Sequence, residues 1–108
     1  MTIPAKPWNY LESSFNDNPE MSGLIQHIIA SKLTNRLYAI ISLDRLVISV
    51  NNPVEMDRES LHVKFDKHAE KWNFTYYSIP YKEPEFVRTY ERSAGVEKFN
   101  SFLKMINW

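Results

Sequence analysis

The sequence predicts an α+β fold, an antiparallel sheet of about five strands with two helices packed mainly on one face. Three observations lead there. Apolar residues recur at helical spacing in two segments, one over residues 22–34 and one after Ser93. Between them lie five short runs rich in β-branched and aromatic residues, most of which alternate apolar with polar side chains. The connections between these runs are of hairpin length, which favours antiparallel neighbours over crossover units.

Residues 1–21 read as an irregular arm of a single domain spanning 1–108. Pro4, Pro7 and Pro19 interrupt any long helix, and Ser13-Ser14-Phe15-Asn16-Asp17-Asn18-Pro19 is dense in turn formers. Trp8, Tyr10, Leu11 and Phe15 can still lay the arm across a core, with a short helical turn near 9–15. Leu24, Ile25, Ile28, Ile29 and Leu33 then form one apolar stripe, with Ser22 as N-cap and Asn35 as stop.

Residues 37–42 and 45–51 predict two strands joined by a tight turn at Leu43-Asp44. The first is apolar at nearly every position, which points to a central strand covered on both faces. Residues 61–66 alternate Leu61, Val63 and Phe65 against His62, Lys64 and Asp66. Residues 71–78 alternate Trp72, Phe74 and Tyr76 against Asn73, Thr75 and Tyr77. Residues 86–92 form a fifth, less regular strand. In the closing helix Val96, Phe99, Leu103 and Ile106 fall on one stripe, with Ser93 as N-cap and Lys104 near the negative end of the macrodipole. The expected common core is Leu24, Ile28, Ile40, Ile48, Val63, Phe65, Trp72, Phe74, Phe99 and Leu103.

Composition narrows the function classes. The 108 residues carry 13 basic and 13 acidic side chains and no cysteine. Thiolate zinc sites, disulfides and thiol nucleophiles are therefore excluded. Two glycines, Gly23 and Gly95, cannot build a phosphate-cradling loop. The first residues have no apolar run of the signal-peptide kind, and no apolar segment approaches a membrane span, so a cytoplasmic protein without membrane contact is expected.

His27, His62 and His68 have no partner histidine at metal-binding spacing, so neither a metal nor a cofactor is expected. No Gly-x-Ser-x-Gly elbow or carboxylate pair in an apolar setting occurs, and an enzyme is not expected. Residues 71–108 hold six bases interleaved with tyrosines, but Glu83, Glu85, Glu91 and Glu97 sit among them. That mixture favours solvated faces over a direct nucleic-acid platform.

Residues 51–70 lean acidic, with Glu55, Asp57, Glu59, Asp66 and Glu70 against three bases. Strand alternation puts His62, Asp66 and Tyr77 on the face opposite the core. The expected partner-binding set is therefore Glu55, Asp57, Glu59, His62, Asp66 and Tyr77, with charge steering encounter and the aromatic ring as anchor.

The closing segment, FVRTYERSAGVEKFNSFLKMINW, resembles the ending of many small bacterial immunity proteins. In these an arginine-bearing aromatic strand enters a terminal helix of the form Gly-x-x-x-Phe-x-x-Phe-Leu, followed by a tryptophan. The matching residues are Arg88, Gly95, Phe99, Phe102, Leu103 and Trp108. The resemblance implies a non-catalytic protein that neutralises a cognate toxin domain, such as one delivered by contact-dependent growth inhibition. A basic nuclease would suit the acidic stretch. The alternative is a small enzyme or ligand-binding protein with a pocket between helices and sheet.

Overall fold

A computed structural model describes residues 2–55, 58–79 and 82–108. The elements run β1 (Thr2–Ile3), α1 (Trp8–Ser14), α2 (Pro19–Ala30), β2 (Tyr38–Ser42), β3 (Arg45–Ser49), β4 (Val54–Glu55), β5 (Ser60–Asp66), β6 (Lys71–Tyr77), β7 (Phe86–Glu91) and α3 (Gly95–Met105). The main sheet has the order β2-β3-β5-β6-β7, with every neighbouring pair antiparallel. The α+β class is as the sequence predicts, with three helices in place of two.

The extra order lies in the N-terminal arm. Pro7 and Pro19 stand at helix starts instead of breaking helices. Pro19 occupies the first turn of α2, where its missing N–H costs nothing, and Asn18 Oδ1 accepts from Met21 N at 3.3 Å. The cap is thus Asn18, not Ser22. Asn18 Nδ2 also donates to Phe65 O at 3.4 Å, which ties the helix start to the end of β5. α2 stops at Ala30, and a single 3₁₀ turn at Leu33–Asn35 leads into β2. A second 3₁₀ turn at Arg92–Ala94 takes the place of the expected Ser93 cap.

Helices and sheet enclose the main core on one face. It gathers Leu11, Met21, Leu24, Ile25 and Ile28 from the helices and Leu46, Ile48, Leu61, Val63, Phe65, Trp72, Phe74 and Tyr76 from the strands. Phe99, Phe102 and Leu103 close it from α3. Nine of the ten expected core residues belong to it. Ile40 does not. It is buried on the opposite face with Val47 and Val54, under Ile3 and Ala5.

That small second core corrects the reading of β2. The strand is covered on both faces, but it is an edge strand and not a central one. The arm crosses it: Lys6 N donates to Ala39 O at 3.1 Å, and β1 then pairs with β4 over the outer face. An apolar run in β2 is what this double covering requires, because successive side chains point to opposite faces. Among the described residues, no helix is long and apolar enough to cross a membrane.

Candidate functional site

The arm covers the outer face only over β2 and β3. Across β5, β6 and β7 that face is mostly polar, with Val87 as an exposed apolar residue on it. The register Val47–His62–Thr75–Val87 sets one row, and Lys64–Asn73–Thr89 sets the next. Pairing of Leu46 with Val63 brings Arg45 beside Lys64 at one end of that second row. Ser60 and Tyr77 form the row on the other side of His62.

His62 is the centre of this face. Its ring meets Tyr77 edge-on at 5.0 Å, and Nε2 lies 3.3 Å from Ser60 Oγ. Its Nδ1 and the Nε of Arg45 are enclosed and make no hydrogen bond. Desolvation, aided by the Arg45 charge, pushes the imidazole down to about 4 from an ordinary 6.5. His62 is therefore neutral at physiological pH.

A pH prediction follows with a definite sign. The folded pKa lies below the unfolded one, so between pH 6.5 and 4 the unfolded chain takes up a proton that the folded chain does not. Stability is full at neutral pH and falls on acidification through that window. The loss should be about 1–2 kcal/mol after solvent screening. Asp44 and Asp66 are also lowered, Asp44 first by the hydrogen bond from Lys64 and Asp66 by the backbone N–H of Ala69 and then His68. Their contributions are lost only below their unfolded values near 3.8, so urea titrations at pH 7 and 4.5 isolate His62. His62→Gln should flatten the slope. An unchanged slope in that variant contradicts the assignment.

The expected interface residues separate into three places. His62 and Tyr77 stand together. Asp66 is at the far end of β5, where Oδ1 accepts from His68 N at 3.0 Å and Ala69 N at 3.2 Å to shape the β5–β6 turn. Glu59 turns to the helix-covered side. Its Oε2 accepts from the Tyr76 hydroxyl at 2.5 Å, and burial together with that bond raises the Tyr76 pKa. Asp57 and the side chain of Glu55 lie outside the described residues; the Glu55 backbone pairs with Thr2.

Arg45 was not in the expected set. Its role depends on a register between strands distant in sequence, which no local pattern announces. Among the described residues no group of three or more His, Asp or Glu side chains is arranged to hold a metal ion.

A concavity lies at the end of the sheet that carries the β2–β3 turn. This groove of about 750 Å³ has Phe15, Ile40, Ile41 and Phe65 among its lining residues, with Tyr10 and Leu43 also beside it. Its charges are largely satisfied internally: Lys64 pairs with Asp44 at 2.7 Å, and Lys67 Nζ donates to Asp17 O at 2.8 Å. Leu43 forms part of the tight turn with φ of 58° and is 89% exposed.

The class these features define is an α+β layer protein with one helix-covered sheet face and one half-open face. No protein-family model, no curated protein and no solved structure matches the chain.

Proposed function

We propose that the chain is a non-catalytic binding protein that neutralises a cognate toxin domain by direct contact, with the outer face of β5–β7 as the interface. The open half-face is the observation that carries this reading. The arm and β4 bury the neighbouring half under Ile3, Ala5 and Val54, yet the His62–Tyr77 ring pair and Val87, 57% exposed, are left to meet a partner. Aromatic rings flanked by polar side chains are the usual composition of an interface centre. The toxin class comes from the resemblance of the terminal strand and helix, and a basic nuclease domain suits the acidic stretch.

Binding kinetics against a toxin domain encoded beside this chain test the reading. Tyr77→Ala should speed dissociation by the equivalent of roughly 1–2 kcal/mol. Neutralising Glu55 and Asp57 should slow association, most at low salt. Glu59→Gln should act on stability instead, because it loosens the hydrogen bond with Tyr76. If Tyr77→Ala and the double carboxylate variant bind like wild type while folded, the interface is elsewhere, and the Arg88 surface of β7 is the next to test.

The groove supports a second reading, a small enzyme or ligand-binding protein. Its volume falls in the range of small-molecule sites, about 300–1,000 Å³. Saturable chemical-shift changes confined to Ile41 and Phe65 on addition of a small-molecule panel would favour it over the interface.

A further inference from the structure

We infer that the small depression at the centre of the outer sheet face is a carboxylate-binding subsite, formed by Arg45, His62, Lys64, Asn73 and Thr75. The depression has a volume of about 190 Å³. A water molecule takes about 30 Å³ of the liquid, so a carboxylate and its last few waters fit.

The lining is rich in donors. Arg45 Nε is enclosed and makes no hydrogen bond, and the same holds for His62 Nδ1. Buried polar atoms without partners are rare because each costs its full desolvation, so two on side chains that line one depression favour an acceptor bound there. Asn73 Oδ1 accepts from Thr89 Oγ1 at 3.3 Å, which leaves the Asn73 amide N–H groups as its free side. Thr75 adds a hydroxyl. If the Ser60 hydroxyl donates to His62 Nε2, the neutral ring carries its proton on Nδ1 and becomes a donor as well.

Charge selects the ligand. Lys64 is held by Asp44 at 2.7 Å, so that pair is close to neutral. None of the described carboxylates forms an ion pair with Arg45. Arg45, Lys64 and Asp44 together keep one net positive charge beside a neutral imidazole, which matches a monoanion, and the planar guanidinium fork matches the geometry of a carboxylate. The charged and titratable groups facing His62 are Arg45 from β3, Lys64 on its own strand and Tyr77 from β6. A bound carboxylate would offset the Arg45 charge and so ease protonation of the ring.

Two sources can supply the group, an Asp or Glu side chain of a protein partner or a free small carboxylate. The first rests on the interface reading above. The subsite itself does not, so failure of the toxin experiment and failure of this one are separate results.

The test is NMR titration of the whole chain with sodium acetate, against sodium chloride at equal ionic strength. Saturable shifts of the His62 ring and the Asn73 side-chain amide are expected, with an upward shift of the His62 pKa in acetate. Arg45→Gln should weaken acetate binding by roughly tenfold or more, the loss of one hydrogen bond to a charged group. Replacing the ion pair as a whole, Asp44→Asn together with Lys64→Gln, should change it far less. Thr75→Val, a shape-preserving change, gives a second reading should Arg45→Gln fail to fold. N-acetyl-aspartyl amide separates the sources: tighter binding than acetate favours a partner side chain, and weaker binding favours a free carboxylate. Shifts that match those in chloride, or survive unchanged in Arg45→Gln and Thr75→Val, overturn the proposal.

Discussion

Phe74→Ala is expected to destabilise the protein by about 3–5 kcal/mol, the range for removing a buried phenylalanine and leaving a cavity. Phe74 is fully buried on β6 and is the hub of the aromatic core. Its ring centroid lies 6.1 Å from Trp72, 5.2 Å from Tyr90, 6.3 Å from Phe99 and 5.7 Å from Phe102, each pair edge-on. These contacts join three elements, so neighbouring rings cannot collapse into the space without moving β7 or α3. A denaturant titration measures the loss. A value below about 1 kcal/mol would mean that α3 is not docked on β6 as described.

Gly95→Ala should cost about 1–3 kcal/mol, despite the helix propensity that alanine adds. The backbone at Gly95 is ordinary right-handed helix, with φ of −56° and ψ of −52°, so glycine is not needed for its conformational freedom. It is needed for space. A Cβ at this position would lie 2.3 Å from Trp72 Cε2 and Nε1. The indole has little room to yield, since it is buried and its Nε1 donates to Arg92 O at 3.0 Å. The propensity gain is at most about 1 kcal/mol, smaller than the overlap. Equal or greater stability in the alanine variant would show that the first turn of α3 does not press on Trp72.

Gly95 also explains the terminal motif physically. Gly95, Phe99, Phe102 and Leu103 are the four buried residues of α3, and Tyr76 meets Trp108 edge-on at 5.8 Å. These residues of the motif fix how the helix docks, which is why the resemblance rests on packing and assigns no contact residue.

β5 and β6 were legible in the sequence because one of their faces is buried and the other open, which leaves a clean alternation. β2 reads as central from its sequence, although it is an edge strand, because covering by the arm produces the same apolar run as covering by two layers of helices. The start of α2 carried its own signal, Asn18 followed by Pro19, but in a stretch rich in turn formers it reads as a turn. At the site, alternation was enough to put His62 and Tyr77 on the open face. It could not reveal that Glu59 turns back to Tyr76, which depends on the exact register of the β5–β6 hairpin, nor that Arg45 joins His62, which depends on the pairing of β3 with β5.

Growth protection against a toxin domain encoded beside this chain, measured with the wild type and a Tyr77→Ala, Arg45→Gln double variant, tests the central claim most directly. Both proteins are first shown to be folded by denaturant titration. The account predicts that wild type forms a complex with the toxin and restores growth, and that the folded double variant loses both. Protection by the double variant equal to that of wild type, or no complex with wild type at all, would contradict it.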